Sequence, residues 1–261
     1  MKNDKHFKFG KNWNNFSKRI SSDSIENSIK ELKKIFNNLE NKSFIDIGSG
    51  SGLHSLAAKK IGAKNIVAID YDMDSVNTTK EILSKNLSKK ELNNIKIFQD
   101  DILNTKIKDK FDIVYSWGVL HHTGNMWKAL DNCSNLVNKD GQIFIAIYVK
   151  NNFCSAWKKI KKTYTYGNFI TKFLLLSIWL PIHFLRKLIN GSIFKNHRRG
   201  MLWYYDSIDW LGGYPYESAS KEQIINYFDT KGFKCLKSTG TKPSFGIFGS
   251  GCAEYLFKKI D

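Results

Sequence analysis

The chain has 261 residues, of which 42% are hydrophobic, and it carries a formal net charge of +17 at pH 7. A chain of this length can bury a full core as one domain, with room for an inserted sub-domain. Its four cysteines form no Cys-x-x-Cys pair, which excludes the usual zinc and disulfide frameworks and predicts reduced thiols and no metal site. No apolar stretch follows Met1, so we expect a cytoplasmic protein without a secretory signal.

The first 42 residues predict a cap of helical and aromatic character. Apolar side chains recur at helical spacing from Ile25 to Leu39, so we expect a helix that covers one edge of a sheet. Four aromatic residues precede this helix: Phe7, Phe9, Trp13 and Phe16. They could fold over a bound ligand or pack in the core, and we assign Trp13 to substrate binding.

Residues 44–47 predict a short buried strand, and glycines follow at alternate positions: Gly48, Gly50 and Gly52. A helical pattern covers residues 53–61 immediately afterwards. Glycines let the backbone approach a ligand closely, and the N–H groups of the first helical turn point into the gap between strand and helix. This stretch therefore predicts a site for a nucleotide-type ligand.

The spacing of the glycines separates two classes of ligand. Dinucleotide-binding folds use the pattern G-x-G-x-x-G, whose N–H groups hold a pyrophosphate. Here the pattern is D-x-G-x-G-x-G, with Asp46 two residues before Gly48. An acid is unfavourable beside a pyrophosphate but suits a ligand with a cationic amino group, so the sequence disfavours a dehydrogenase.

The second predicted strand, residues 65–70, ends on Asp70, which lies 22 residues after Gly48. A carboxylate at this strand end is placed to accept both ribose hydroxyls of an adenosine ligand. Further strands are predicted at 94–101, 110–117, 142–149, 233–239 and 252–258, with helices at 73–87, 125–137 and 218–231. This alternation predicts a doubly wound α/β sheet, which binds ligands at the carboxyl ends of its strands.

Residues 150–205, called the basic segment below, interrupt the alternation. The segment holds eleven Lys or Arg residues and no Asp or Glu, so it supplies +11 of the net charge. Its apolar run, residues 173–185, is too short to span a bilayer. The layout fits a helical lid over the active site, which we favour, or a segment that lies on an anionic membrane surface.

Several motifs occur in a fixed order: Asp46-x-Gly48-x-Gly50-x-Gly52, then Asp70, Asp101 and Phe-Asp-Ile-Val at 111–114. In order and spacing they resemble the class I S-adenosylmethionine-dependent methyltransferases. The resemblance implies a Rossmann-like, seven-stranded sheet, mostly parallel with an antiparallel last strand, and a helical insertion. It also implies S-adenosylmethionine as cofactor and S-adenosylhomocysteine as product. Three further stretches resemble a bacterial subfamily: residues 9–13, 115–123 and 209–217.

The same resemblance implies roles for single residues and a division of the chain. Asp101 stands where an acid of the family holds the adenine amino group, with the apolar Ile102 against the ring. The expected cofactor-binding residues are Asp46, Gly48, Gly50, Gly52, Asp70, Tyr71, Asp101, Ile102 and Trp117. The expected domains are a cap at 1–42, a cofactor-binding domain at 43–149 and 206–261, and a basic helical lid at 150–205.

Methyl transfer is an in-line displacement on carbon from an activated cofactor, so the protein mainly aligns the acceptor and excludes water. An acceptor may also need a base. His121 and His122 are the candidates because imidazole titrates near neutrality, although one could act structurally. Polar and aromatic residues around a Gly-Gly turn predict a substrate pocket, or alternatively a packed loop. Its expected members, besides Trp13, are Tyr148, Asp209, Trp210, Tyr214 and Tyr216.

We therefore expect methyl transfer to an O, N or S atom of a small-molecule, glycan-precursor or lipid-precursor acceptor of anionic or apolar character. The alternative is an RNA methyltransferase that holds nucleic acid with its basic segment. After the fourth strand we find neither the N/D-P-P-Y motif of adenine amino-methylases nor the Pro-Cys nucleophile of cytosine C5 methylases. The basic segment also raises the prospect of peripheral contact with the inner membrane surface, and a non-catalytic membrane adaptor is a further alternative.

Overall fold

The computed structural model describes residues 22–189 and 203–260. In these residues the strands are Ser43–Ile47 (β1), Asn65–Asp70 (β2), Ile95–Gln99 (β3), Phe111–Trp117 (β4), Val137–Tyr148 (β5), Phe233–Thr239 (β6) and Cys252–Lys259 (β7). The helices are Ser22–Phe36 (α1), Leu53–Lys60 (α2), Met73–Asn86 (α3), Lys89–Leu92 (α4), Met126–Asn135 (α5), Cys154–Tyr166 (α6), Phe169–Ile189 (α7), Trp203–Gly212 (α8) and Lys221–Asp229 (α9). A 3-10 turn at Leu120–His122 follows β4.

The described strands form one seven-stranded sheet in the order β3-β2-β1-β4-β5-β7-β6. The pairs β1–β2, β1–β4, β2–β3 and β4–β5 are parallel. Strand β7 lies antiparallel between β5 and β6. The predicted α/β, doubly wound and Rossmann-like sheet with an antiparallel last strand is therefore confirmed.

Helices cover both faces of the sheet, because successive side chains of a strand point to opposite sides. Phe44 of β1 belongs to a buried cluster with Leu32 of α1 and residues of α2. The next residue, Ile45, belongs to the opposite cluster, with Leu130 of α5 and Phe228 of α9. The carboxyl ends of the central strands are thus held between two helical layers, and the residues predicted to bind ligands follow those ends.

Helix α1 does not cover an edge of the sheet, as the sequence pattern had suggested. It packs on the face, where the ring of Phe36 meets that of Phe144 on the interior strand β5 at a centroid distance of 6.2 Å. The periodicity of α1 reports that one side of the helix is buried, but it carries no information about which strand lies beneath. The edge placement was therefore wrong, while the helix itself is present.

Strand β5 begins at Val137, five residues before the predicted start, and α5 ends at Asn135. The early part of β5 pairs Val137 with Phe111, and the register then shifts before Ile113 pairs with Gln142. Such an irregularity breaks the alternation of apolar and polar residues from which strand ends are predicted. The same cause explains the overlong helix prediction at this point.

In the basic segment and just beyond it, α6, α7 and α8 share a core. Trp157 of α6 lies against Trp179 of α7 and Trp210 of α8, at centroid distances of 5.0 and 5.5 Å. None of the helices in the described part of the chain combines the length and the hydropathy of a membrane span. The aromatic cluster at Phe7 to Phe16, with Trp13, lies outside the described residues. The division into cap, cofactor domain and lid stays a prediction.

Candidate cofactor and acceptor site

The glycine turn after β1 is tight and fixed to the next strand. Gly48, Gly50 and Gly52 have φ values of +77°, +55° and +77°, which favour glycine. The N–H groups of Gly48 and Ser49 both donate to the carbonyl oxygen of Ile69, at 2.8 and 3.0 Å. A Cβ on Gly48 would lie 2.4 Å from Cγ2 of Val119. The backbone therefore comes closer to its surroundings than any other residue would allow.

Asp46 lies buried beneath this turn, and its Oδ2 accepts a 2.6 Å hydrogen bond from Oγ of Ser55. Burial raises the pKa of the Asp46 carboxyl, an effect that the Ser55 hydrogen bond and nearby His54 partly offset. The carboxyl lines a small cavity together with Gly48, Trp117 and other residues of the turn. A buried acid in this position would be stabilised by a cationic ligand group.

Asp70 ends β2 on the other side of the turn. Its Oδ2 accepts from the N–H of Gly50, and its Oδ1 accepts from the N–H of Asp72, both at 2.9 Å. Burial raises the pKa of the Asp70 carboxyl to about 6, although these two bonds oppose the shift. The next residue, Tyr71, is 59% exposed. The carboxylate is therefore positioned by backbone bonds, and each oxygen keeps a further lone pair for a ligand.

Asp101 follows β3 and organises the turn after it. Its Oδ1 accepts from the N–H of Leu103 at 2.9 Å, and its Oδ2 accepts from Nδ2 of Asn104 at 2.7 Å. Ile102 is buried. The N–H of Asp100 donates to the carbonyl oxygen of Asp70 at 3.1 Å, which ties the ends of β3 and β2 together. The strand ends that carry Asp70 and Asp101 are thus neighbours.

Trp117, the last residue of β4, lines the same small cavity as Asp46. Its Nε1 donates to Oε1 of Glu254 on β7 at 3.0 Å. This bond fixes the indole at the carboxyl end of the central strand. No sequence pattern indicates Glu254 as a site residue, since its partner lies 137 residues away.

The two histidines occupy the 3-10 turn after β4. His121 is fully buried, and its ring lies 3.9 Å from that of Tyr148 and 4.4 Å from that of His122. Nδ1 of His122 lies 2.8 Å from the carbonyl oxygen of Pro215. A carbonyl only accepts, so Nδ1 carries the proton in this bond and Nε2 carries the lone pair when the ring is neutral.

The loop that contains Pro215 is clamped to the histidine turn at two further points. The N–H of Glu217 donates to the carbonyl oxygen of His121 at 3.0 Å. Oε2 of Glu217 in turn accepts from the N–H of Met126, the first residue of α5, at 2.8 Å. A Cβ on Gly213 would lie 2.7 Å from Cε1 of His122, so a glycine is needed where the loop passes the ring.

The structure brings three of the five described substrate-pocket residues into one aromatic cluster beside the histidines. The ring of Tyr148 lies 5.4 Å from that of Trp210 and 5.3 Å from that of Tyr216. The hydroxyl of Tyr216 forms a 2.7 Å hydrogen bond with Oγ of Ser250. Tyr214 packs instead against Tyr166, at 5.9 Å.

Lys161 was not predicted as a site residue, yet it lies at the centre of this cluster. It is fully buried, with Nζ 3.7 Å from the centroid of the Trp210 ring and 5.2 Å from that of Tyr216. Nζ also donates to the carbonyl oxygen of Trp210. Burial lowers the pKa of Lys161 well below its ordinary value, and the charge of Asp209 opposes this only in part. Asp209 thus acts on the cluster electrostatically.

A cavity of about 380 Å³ lies behind the aromatic cluster. Trp210 forms one wall, Trp179 and His183 of α7 form another, and Phe248 and Lys242 from the loop between β6 and β7 contribute a third. Val149, Ser244, Ser250 and three glycines complete the lining, so the aromatic side chains stand among small and polar residues. This composition is usual for a small-molecule pocket.

Comparison with known proteins identifies the family. The methyltransferase domain family matches residues 38–203. A ribosomal protein L11 methyltransferase of Prochlorococcus marinus (strain MIT 9312) is 32% identical over 137 residues, which cover 48% of this chain and 44% of that protein. The chain thus spans less than half the length of the curated relatives it matches.

Two solved structures share the fold. The magnesium protoporphyrin IX methyltransferase (ChlM) from Synechocystis PCC 6803 with bound SAH has a TM-score of 0.54 at 14% identity, covering 91% of this chain and 82% of that chain. A chain of the complex between the Haloferax volcanii Trm112 methyltransferase activator and a methyltransferase has a TM-score of 0.60 at 11% identity, covering 98% and 99%. At these identities the likeness concerns the fold.

Proposed function

This chain belongs to the methyltransferase domain family, and we propose that it is an S-adenosylmethionine-dependent enzyme that methylates an O, N or S atom of a small-molecule, glycan-precursor or lipid-precursor acceptor. One observation carries the proposal. The glycine turn, the buried Asp46 and the half-buried Asp70 lie at the carboxyl ends of β1 and β2, and the histidines and aromatic cluster follow β4 and β5. The residues that would hold the cofactor therefore lie beside the residues that would hold the acceptor.

The residues around the glycine turn fit S-adenosylmethionine. Asp46 is a buried acid suited to the cationic amino group, and Asp70 keeps a lone pair on each oxygen for the two ribose hydroxyls. Asp101 would accept from the adenine amino group, with Ile102 against the ring. The open backbone at Gly48, Gly50 and Gly52 would let the ligand approach, with Tyr71 and Trp117 on either side.

The bound cofactor would supply a methyl group on a sulfonium, activated for in-line displacement. The chain would align the acceptor in the aromatic cluster, exclude water and remove a proton where the acceptor requires it. We assign the proton transfer to Nε2 of His122, because the bond from Nδ1 to Pro215 leaves the lone pair on that nitrogen. His121, fully buried against Tyr148, would position the pair.

An apolar or aromatic acceptor fits the pocket better than RNA does. Of the aromatic residues interleaved with basic ones, Trp157, Tyr164 and Trp179 are buried and could not stack on bases, whereas Phe169 and Phe173 are exposed. The cavity of about 380 Å³ beside Trp210 offers the volume that a small molecule or lipid precursor needs. RNA remains the second candidate because the basic segment carries no acidic residue. A cytoplasmic location agrees with the reduced cysteines that the sequence predicts.

Calorimetric titration with S-adenosylmethionine and S-adenosylhomocysteine tests the proposal first. We expect micromolar binding of both, and no binding of NAD. A labelled methyl group should then pass to acceptors from an apolar and anionic panel, with total RNA as the comparison. Absence of binding to either cofactor form would refute the proposal. Methylation of RNA alone would replace the acceptor class.

A further inference from the structure

Helix α7 turns its apolar side outward. Ile170, Phe173, Leu174, Ile178, Ile182 and Leu185 are each between 41% and 65% exposed. At 3.6 residues per turn these positions form one broad stripe along the helix. A surface helix of a globular protein normally shows the reverse pattern, with its apolar stripe on the core. A contiguous exposed apolar surface of this kind marks an interaction site.

The opposite side of α7 is anchored to the protein. Trp179 and His183 are buried. The indole of Trp179 lies 5.0 Å from that of Trp157 on α6, and Nδ1 of His183 hydrogen-bonds Oγ of Ser207 on α8 at 2.5 Å. The helix is therefore fixed in the orientation that exposes the stripe.

A second apolar element lies beside α7. In the loop between β6 and β7, Phe245, Ile247 and Phe248 are 69%, 51% and 45% exposed. The loop is held to the basic segment because Nε1 of Trp157 donates to the carbonyl oxygen of Gly246 at 3.0 Å. Phe248 also lines the cavity whose other wall belongs to α7. Helix and loop therefore flank one opening.

The charge around these elements identifies the partner. Lys158, Lys159 and Lys162 on α6 are exposed, as is Lys242 in the loop. The segment that contains α6 and α7 has no Asp or Glu. A second copy of the chain would bring two such basic surfaces together, which like charges oppose. An anionic lipid surface satisfies both the apolar stripe and the cations.

We propose that α7 and the loop between β6 and β7 dock on an anionic lipid bilayer, with α7 lying in the plane of the interface. Its apolar stripe would enter the boundary of the acyl chains, while the lysines of α6 meet the anionic headgroups. The cavity between helix and loop would then open toward the lipid. A lipid-borne acceptor could enter it from there, a consequence that rests on the proposed methyl transfer.

Vesicle co-sedimentation of the full chain tests the docking without any catalytic readout. We would use vesicles of phosphatidylcholine and phosphatidylglycerol at about 7:3, with pure phosphatidylcholine as the comparison. The wild type should sediment with the anionic vesicles only, and less so at high salt. The double variant Leu174→Glu/Ile178→Glu should bind at least about tenfold more weakly.

Two matched variants make the test specific. Leu236→Glu/Ile260→Glu places the same two charges at apolar residues outside α7 that are 46% and 54% exposed, and it should bind vesicles as the wild type does. The triple variant Lys158→Gln/Lys159→Gln/Lys162→Gln should lose about tenfold or more of its binding to anionic vesicles, because each lysine near the surface contributes about a fivefold factor. Circular dichroism and thermal melting would establish that each variant is folded.

Three results would overturn the docking proposal. The wild type could stay in the supernatant, or Leu174→Glu/Ile178→Glu could bind anionic vesicles as strongly as the wild type. The third result is a wild-type dimer that the double variant converts to a monomer. The last would assign the stripe to a second copy of the chain. Calorimetry with S-adenosylmethionine on the same samples separates the two proposals. Vesicle binding without cofactor binding would refute the proposed function alone, and the converse would refute docking alone.

Discussion

Asp70→Asn isolates the carboxylate that we assign to the ribose. Both oxygens of Asp70 accept a backbone N–H, one from Gly50 and one from Asp72. Each keeps a second lone pair, which is what two neighbouring ribose hydroxyls require. Asparagine has the same shape but a single acceptor oxygen, so its amide nitrogen would face one of the backbone donors. The variant therefore removes acceptors while keeping the volume.

A hydrogen bond to a charged group contributes about 1.5–3 kcal/mol. Asparagine would lose one such bond, and the other would become a neutral hydrogen bond of about 0.5–1.5 kcal/mol. The change should therefore cost about 3 kcal/mol, which weakens the affinity for S-adenosylmethionine by about a hundredfold. Because burial raises the pKa of Asp70 to about 6, affinity should also depend on pH. Ribose hydroxyls donate to the ionised carboxylate, so binding should be full above pH 6 and weaken as the pH falls through that value.

Calorimetric titration of S-adenosylmethionine over a range of pH measures both effects. Asp72→Asn is the matched control: Asp72 accepts from the N–H of Asp74 at the start of α3, a capping role that asparagine also performs. It removes a charge from the same strand end and should leave the affinity nearly unchanged. Because the pKa of Asp46 is also raised, protonation of either acid would weaken binding at low pH. The test therefore compares how steeply the affinity of the wild type and that of Asp70→Asn fall with pH. Equal affinity of Asp70→Asn and wild type, or equal slopes below pH 6, would refute the ribose assignment.

Three further predictions concern the turn, the base and the buried lysine. Gly48→Ala puts a Cβ 2.4 Å from Val119 at a φ of +77°, so it should lower the free energy of unfolding by at least about 1–2 kcal/mol and abolish cofactor binding. Gly251→Ala, which meets nothing within 4 Å, is the urea-unfolding control, and equal effects of the two would contradict the close-packed turn. His122→Gln should reduce turnover by about a hundredfold or more with the cofactor affinity intact; full turnover with saturating acceptor would exclude it as base. Burial lowers the pKa of Lys161, so between that lowered pKa and 10.5 the unfolded chain binds a proton that the folded chain does not. In this window the free energy of unfolding should rise with pH by up to about 1.4 kcal/mol per unit. Lys161→Met should remove this slope, and urea-unfolding profiles with the same pH dependence for the variant and the wild type would contradict the lowered pKa.

The cofactor side of the site could be predicted because its geometry is local. Asp46 and the glycines lie within seven residues, and the strand and helix that flank them fix their relative positions. Asp70 and Asp101 each end a strand, and parallel strands bring their carboxyl ends to one edge. The hydrogen bond from the N–H of Asp100 to the carbonyl of Asp70 is a direct consequence of that rule.

The acceptor side could be predicted only in part, because its contacts join distant parts of the chain. Lys161 had one available signal: with Trp157 and Tyr164 it follows helical spacing, which places it on the buried side of α6. The segment contains eleven basic residues, so one lysine at helical spacing did not stand out from the others. The hydrogen bond between Glu217 and Met126 joins residues that are 91 positions apart, and no local sequence pattern predicts such a bond.

The orientation of α7 shows why hydrophobicity alone cannot predict the outer surface of this segment. An apolar run predicts a helix with a buried face, and hydrophobicity alone predicts that Leu174 and Ile178 lie on that face and that His183 does not. The structure does the reverse, because His183 finds a hydrogen bond with Ser207 and stacks on Trp179 at 5.4 Å, so its burial costs little. The aliphatic residues are then left exposed, which indicates an interaction surface. The basic charge around that surface is what favours an anionic lipid surface over a second copy of the chain.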